Sequence, residues 1–397
     1  MDFAYTESEL AFQKELRAWL EENLPEGWLE GKRVIPEDDN QKAAFLRDWY
    51  RKLAEGGWSG ISWPKEYGGR GASLMQEVIY EQEMARVKAP PALNIIGTAM
   101  VGPTLLQIGT DYQKERYIEK ILNGEEIWCQ GYSEPNAGSD LAAIQTKAVK
   151  KGDKWIINGQ KIWTSYAHLA DRCFLLARTE NTGKKHEGIT AFLVDMHQEG
   201  VETRTIRSIN DRRDFNEMFF NDAIAYDADI VGEVNQGWKV SLILLSHERV
   251  GVARQTFRLQ KQFEELVELA KSMKRNGRPL AADPLVRQNL AIFRTKTKAL
   301  LFNYYRHLTN TIRAGRPGPE GSMDKLASSE LGQEMLAYAI SLQGASGTLW
   351  RGDASVDQNW QQEYLRSFAY TIEGGTSEIQ KNIVGERILG LPKDIKY

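Results

Sequence analysis

Apolar positions recur every three or four residues near the start of the chain, where Phe12, Leu16, Trp19 and Leu20 follow Thr6-Glu7-Ser8-Glu9. That spacing predicts an amphipathic helix. The Thr-x-x-Glu step predicts its first turn, because the two side chains can satisfy each other's orphan backbone donors. Helical period continues through 41–56 and 74–122, interrupted by the glycine-rich stretch Trp63-Pro64-Lys65-Glu66-Tyr67-Gly68-Gly69-Arg70-Gly71. Near residue 125 the character changes to strand. Within Lys154–Trp163, Asn158-Gly159 separates two β-prone runs, which predicts a hairpin closed by a type I′ turn. Strand pattern extends over Phe174–Ala177, Ile189–Val194, Val201–Ile206 and Met218–Ile224. From 236 the period is helical again, with Trp238, Leu242, Leu245, Val252 and Thr256 on one face. Further helices are expected over 281–314, 323–344 and 361–390, the first two separated by Gly315-Arg316-Pro317-Gly318-Pro319.

These patterns predict an α+β multidomain chain. Its parts are an N-terminal helical domain over 1–124, a middle β-barrel or sandwich domain over 125–235 and a C-terminal helical bundle over 236–397. The length, 397 residues with 42% apolar, is ample for several cores. Charge is balanced and interspersed, 51 Lys+Arg against 54 Asp+Glu, which argues against nucleic-acid or membrane partners. Two cysteines, Cys129 and Cys173, form no CxxC pair, and the five histidines show no metal-ligand spacing. Neither a disulfide framework nor a metal site is expected. The first residues lack a basic stretch followed by an apolar run, so a cytoplasmic location is expected.

Four segments could carry chemistry. Gln130-Gly131-Tyr132-Ser133-Glu134-Pro135-Asn136-Ala137-Gly138-Ser139-Asp140 has the small residues and hydroxyls that let backbone N–H groups approach a flat or anionic ligand. Composition alone favours an ordinary polar loop. Trp163-Thr164-Ser165 places an indole beside two hydroxyls, suited to stacking on a ring; a core tryptophan is the commoner outcome. Glu248, in His247-Glu248-Arg249, has Leu244, Leu245 and Val252 as helical neighbours. Desolvation there would raise its pKa toward that of a usable base, although pairing with Arg249 or simple surface exposure is the more frequent fate. Thr371-Ile372-Glu373-Gly374-Gly375-Thr376-Ser377-Glu378-Ile379-Gln380 has good helix caps, and a helix start there would favour an anion such as a pyrophosphate. No GxGxxG or GxxxxGK[ST] fingerprint is present.

In this order and spacing, the segments resemble the acyl-CoA dehydrogenase family over essentially the whole chain. The resemblance rests on WPKEYGGRG, YSEPNAGSD, NGQKIWTS, Ile230-Val231-Gly232-Glu233 and TIEGGTSEIQKNIVGERILG. It implies FAD bound between subunits and an acyl-CoA beside the flavin. By similarity, Gln130, Tyr132, Ser133, Trp163 and Ser165 belong to the flavin site, with Ser165 near N5. Gly138 and Ser139 lie where flavin and the CoA arm meet. Thr376 and Glu378 match positions near the FAD adenosine, and Arg249 helps hold CoA. Arg275 and Gln288 are candidates for a neighbouring subunit's FAD, but the family's Arg-x-Thr-Phe-Gly is here Lys274-Arg275-Asn276-Gly277-Arg278-Pro279. Aligning Gly375-Thr376 with the family's Gly-Thr puts Gly374 where many members carry the catalytic base, and its N–H beside the thioester carbonyl. Glu248-Arg249 matches members whose base stands on the first helix of the C-terminal domain, so Glu248 is the expected base and Glu373 the alternative. The implied activity is α,β-dehydrogenation to the trans-2-enoyl-CoA, with electrons passed to an electron-transfer flavoprotein. The implied assembly is a homodimer, a homotetramer or a heterotetramer with a related chain. Other readings are a mainly structural subunit of a heteromer, an acyl-CoA oxidase, and a monooxygenase or nitroalkane-oxidising relative.

Overall fold

The computed structural model describes residues 4–36, 38–181, 183–247, 251–315, 318–350 and 358–393. The N-terminal helices are α1 (Glu7–Asn23), α2 (Asp39–Glu55), α3 (Leu74–Val87), α4 (Gly102–Ile108) and α5 (Asp111–Asn123). The middle strands are β1 (Trp128–Gly131), β2 (Lys147–Lys151), β3 (Lys154–Ser165), β4 (Arg172–Arg178), β5 (Ile189–Asp195), β6 (Val201–Ile206), β7 (Phe215–Tyr226) and β8 (Ile230–Val231). After them come α6 (Gly237–His247), α7 (Gly251–Ser272), the two-residue strands β9 (Lys274–Arg275) and β10 (Arg278–Pro279), α8 (Pro284–Ala314), α9 (Gly321–Leu342), α10 (Gln358–Ser367) and α11 (Ser377–Ile383). The helical N-terminal domain, sheet domain and C-terminal helical domain are therefore all present. Among the described residues, no helix is long and apolar enough to cross a membrane.

Two compact units result. In the first, Thr6 and Glu9 form the expected reciprocal cap of α1, and Phe12, Leu16 and Leu20 are buried. The single helical stretch expected over 74–122 is broken after α3, where Pro90 and Pro91 supply no backbone donors. The sheet runs β6-β7-β3-β2-β4-β5-β8, with β1 parallel to β4. β2 and β4 meet at a single pair, Lys147 with Arg178, so the sheet folds into two halves around a common core. β4 alternates between two cores. Cys173, Leu175 and Ala177 face the other half of the sheet, while Phe174 and Leu176 join Trp63, Leu105, Ile118, Val240 and Leu244. Each such buried aliphatic or aromatic side chain contributes about 1.5–3 kcal/mol.

Three expectations are corrected. Asn158-Gly159 makes no hairpin: β3 runs through it, antiparallel to β7 from Lys154 opposite Tyr226 to Ser165 opposite Phe215. An extra residue on β7 bulges there, and the Asn158 amide bonds both the side chain and the N–H of Asp222 at 3.0 Å. The true β2–β3 turn is at Gly152-Asp153. On α6, Gly237, Val240, Ser241 and Leu244 are buried whereas Leu242 is 52% exposed. The helix is apolar nearly all round, so periodicity could not choose its face. The helix expected over 361–390 is interrupted at Gly374 and Gly375, both with positive φ.

In the second unit, α7 to α10 form a bundle. Leu259, Phe263, Leu266 and Ala270 of α7 pack with Phe293 and Leu300 of α8 and Leu331, Met335 and Ala339 of α9.

Candidate active site

The sheet-domain candidates sit on the ends of two strands. Gln130 is the next-to-last residue of β1, and Tyr132 and Ser133 follow the strand's last residue, Gly131; Trp163 and Ser165 lie in the last three residues of β3. The Ile162 N–H donates to the Ser133 carbonyl at 2.9 Å, joining the two segments. β3 carries one extra residue between Lys161 and Thr164, and at this bulge Trp163 takes a left-handed backbone, φ +62°. That conformation costs a bulky residue about 1–3 kcal/mol. Its result is an indole turned outward, 58% exposed, with an edge contact to the Phe215 ring at 6.3 Å. Just past the bulge, the Thr164 carbonyl accepts from the buried Asn216 amide at 3.0 Å, and Asn216 also meets His168 at 2.9 Å. Gln130 Nε2 is buried and has no hydrogen-bond partner among the described residues. Gly138 and Ser139 are exposed, and a Cβ on Gly138 would touch nothing. An outward aromatic face, an unanswered amide donor and an open glycine suit a flat heterocycle with acceptor atoms on its rim. The residues present therefore fit a flavin.

Behind this surface lies a pair that sequence reasoning passed over. Lys161 is fully buried; its Nζ donates to Glu134 Oε1 at 2.8 Å and to the Tyr132 carbonyl at 3.0 Å. Glu134 also accepts from the N–H groups of Gln145 at 2.6 Å and Thr146 at 2.9 Å. Burial pulls the Lys161 ammonium down to about 8 against the opposing pull of Glu134. Burial pushes the Glu134 carboxyl up, but the Lys161 charge and the hydrogen bonds outweigh it and hold the group below the usual carboxylate range. The signal was in the sequence: Trp155, Ile157 and Lys161 lie on one side of the alternation, which is the buried side.

In the second unit, Thr376 caps α11, its side chain accepting from the Ile379 N–H at 3.2 Å. Glu378 is exposed in the first turn. α11 has only seven residues, so the expected anion site at its start is supported by little helix dipole. The preceding loop is pinned: Lys325 donates to the Tyr370 and Gly375 carbonyls at 2.9 and 2.6 Å, and Gln380 to the Gly374 carbonyl at 3.0 Å. The Gly374 N–H keeps no acceptor among the described residues. Glu373 is held by Arg366 at 2.7 Å. Lys274–Pro279 is a hairpin whose turn is Asn276-Gly277, φ +52° and +76°. Arg275 is exposed on it. Gln288 is exposed on α8 beside a groove of about 250 Å³ lined also by Ala291, Ile292, Thr295 and Lys296. Glu248 and Arg249 lie outside the described residues.

Among the described residues, no group of three or more His, Cys, Asp or Glu is placed to hold a metal. Cys129 and Cys173 are both thiols, yet they stand directly opposite each other on β1 and β4.

The chain matches the models of the acyl-CoA dehydrogenase N-terminal domain over 6–125, the middle domain over 129–223 and the C-terminal domain over 235–389. It is 40% identical to the acyl-CoA dehydrogenase IpdE1 of Mycolicibacterium smegmatis, over 97% of this chain and 98% of that one. Among solved structures it resembles the Tcur3481-Tcur3483 steroid ACAD, with a TM-score of 0.87 and 29% identity over 99% of this chain and 100% of the other. It also resembles the ChsE4-ChsE5 complex from Mycobacterium tuberculosis, with a TM-score of 0.84 and 30% identity over 99% and 100%.

Proposed function

The chain belongs to the acyl-CoA dehydrogenase family, and on that premise we propose how its own residues carry the reaction. The enzyme is an FAD-dependent oxidoreductase acting on an acyl-CoA thioester. Gln130, Tyr132, Ser133, Trp163 and Ser165 hold the isoalloxazine, and the observation that carries this is the outward Trp163 at its bulge beside the unanswered Gln130 donor. Bound FAD supplies the two-electron acceptor for the β hydrogen. Glu248 removes the α proton as general base, an assignment that rests on the Glu-Arg step in the sequence. The Gly374 N–H, which has no acceptor among the described residues, polarises the thioester carbonyl, which lowers the cost of charge building on oxygen as the proton leaves. Ser139 and Arg249 hold the CoA arm; Gly138 leaves room for it beside the flavin. Thr376 and Glu378 meet the adenosine end of FAD, and Arg275 and Gln288 meet the FAD of an adjoining subunit.

The acyl group is of the bulky polycyclic kind derived from steroids, a reading supported by the name of the Tcur3481-Tcur3483 enzyme. Electrons pass to an electron-transfer flavoprotein. Assembly with a second, related chain is favoured by the altered Lys274–Pro279 hairpin and by the two-protein names of both structural neighbours. The test is anaerobic bleaching of the bound flavin by a panel of acyl-CoA thioesters. Wild type should bleach, and Glu373→Gln with it. Glu248→Gln should keep its flavin and lose bleaching by about a thousandfold or more, as expected when a general base is removed. Normal bleaching by Glu248→Gln would transfer the role to Glu373.

A further inference from the structure

We propose that the buried Lys161–Glu134 pair is the positioning device of the flavin surface, a clamp that holds Trp163 and Ser133 in register with each other. This rests on the reading of Gln130, Tyr132, Ser133, Trp163 and Ser165 as the isoalloxazine site. Each of those residues lies on one of two short segments, residues 130–133 and 163–165. Those segments belong to strands that are not consecutive, and the direct backbone tie described between them is the single Ile162-to-Ser133 hydrogen bond. Lys161 adds what that tie cannot. It reaches from β3 to the Tyr132 carbonyl and to Glu134 on the other segment. Glu134 then fixes the chain leaving the surface, through the Gln145 and Thr146 N–H groups and through its two-way backbone pairing with Ala137 at 3.0 Å. One ion pair therefore joins three stretches: 132–134, 145–146 and 161.

A lysine with no exposed surface is an unusual choice for a core position, where an apolar side chain would pack without a desolvation cost. Ion pairs of this kind do not generally stabilise a fold more than apolar replacements do. What the pair supplies is geometry. Trp163 follows Lys161 by two residues and is held in a strained backbone. Strain of that size persists only when both flanks are fixed. The Asn216 amide fixes the far flank at the Thr164 carbonyl, and Lys161 fixes the near one. Without the clamp, the bulge can relax toward regular pairing, which returns the indole toward the sheet and removes the aromatic face. The apoprotein would still fold, because the apolar core on that side of β3 is unchanged.

The experiment compares Lys161→Met, Glu134→Gln and Trp163→Ala with wild type. Apoprotein is prepared from each, its thermal midpoint is measured, and FAD is titrated by quenching of its fluorescence; at saturating FAD the visible circular dichroism of the flavin is recorded. Lys161→Met leaves Glu134 buried without its counter-charge, so it should lower the midpoint while still unfolding cooperatively, bind FAD about tenfold more weakly and change the flavin dichroism, as expected when the support behind a binding residue is lost. Glu134→Gln keeps an oxygen that Lys161 can donate to and should fall between the two, about threefold weaker. FAD binding and dichroism unchanged in Glu134→Gln overturn the clamp, whether or not Lys161→Met folds; so does unchanged binding by a folded Lys161→Met. Trp163→Ala separates the two levels: if it binds FAD as tightly as wild type, the isoalloxazine site itself is misplaced. If it binds weakly while the clamp variants do not, only the clamp fails.

Discussion

Glu77, half-buried on α3, shows how one carboxyl can set a pH response. Its surroundings take it out of water and raise its pKa from 4.5 to about 7; the like charge of Glu81 adds to this, and a hydrogen bond from Ser62 opposes it. The folded chain therefore holds this proton more tightly than the unfolded chain does. Stability falls as pH climbs from about 4.5 to 7, and the penalty is complete above that range. Glu77→Gln should raise stability by about 1–2 kcal/mol at pH 8 and leave it nearly unchanged at pH 4, as denaturant melts at the two pH values would report. At this scale the sequence was legible where a residue's role is local. The Thr6–Glu9 cap needs only four residues, and it formed as its spacing implied. Lys161 was not legible in that way, because its partners, Tyr132 and Glu134, are 29 and 27 residues away and meet it only once β1 and β3 are side by side.

Two of the chain's three Asn-Gly steps, 158–159 and 276–277, carry the lesson for elements. Both supply a residue pair tolerant of positive φ, yet one is a turn and the other lies inside a twelve-residue strand. At 158–159 the flanking runs, 154–157 and 160–163, are β-prone, which suggested a hairpin; they instead share one partner, β7, and distant pairing overrode the local turn preference. At 276–277 the flanking strands are two residues each, too short to show any period, and the turn forms there. The difference can be measured. A Cβ on Gly159 would lie 2.6 Å from the Thr146 backbone, so Gly159→Ala must push β2 from β3 and should cost about 3 kcal/mol or more. A Cβ on Gly277 meets nothing, so Gly277→Ala should cost only the left-handed backbone term, about 1 kcal/mol. Chemical denaturation of both variants compares these values directly; equal costs would contradict the assignment of one step to a strand and the other to a turn.

For the whole molecule, the helix–sheet–helix order was readable because each part has its own period over many residues. Assembly was not, since the residues proposed to reach a neighbouring subunit, Arg275 and Gln288, are exposed, and burial gives no pattern for them. The stoichiometry of FAD in protein purified alone addresses this. About one FAD per chain is expected of a self-sufficient homomer, and far less, with FAD binding restored by a related chain, of a heteromer. The sheet also contains its own reporter. Cys129 and Cys173 have no exposed surface and face each other across β1 and β4, one residue before Gln130 and Phe174. An alkylating reagent can reach either sulfur only in those molecules whose β1 has momentarily parted from β4. The rate of labelling thus counts the breathing of the strand that presents Gln130, and a ligand resting on that strand would slow the count by as much as it holds the strand closed.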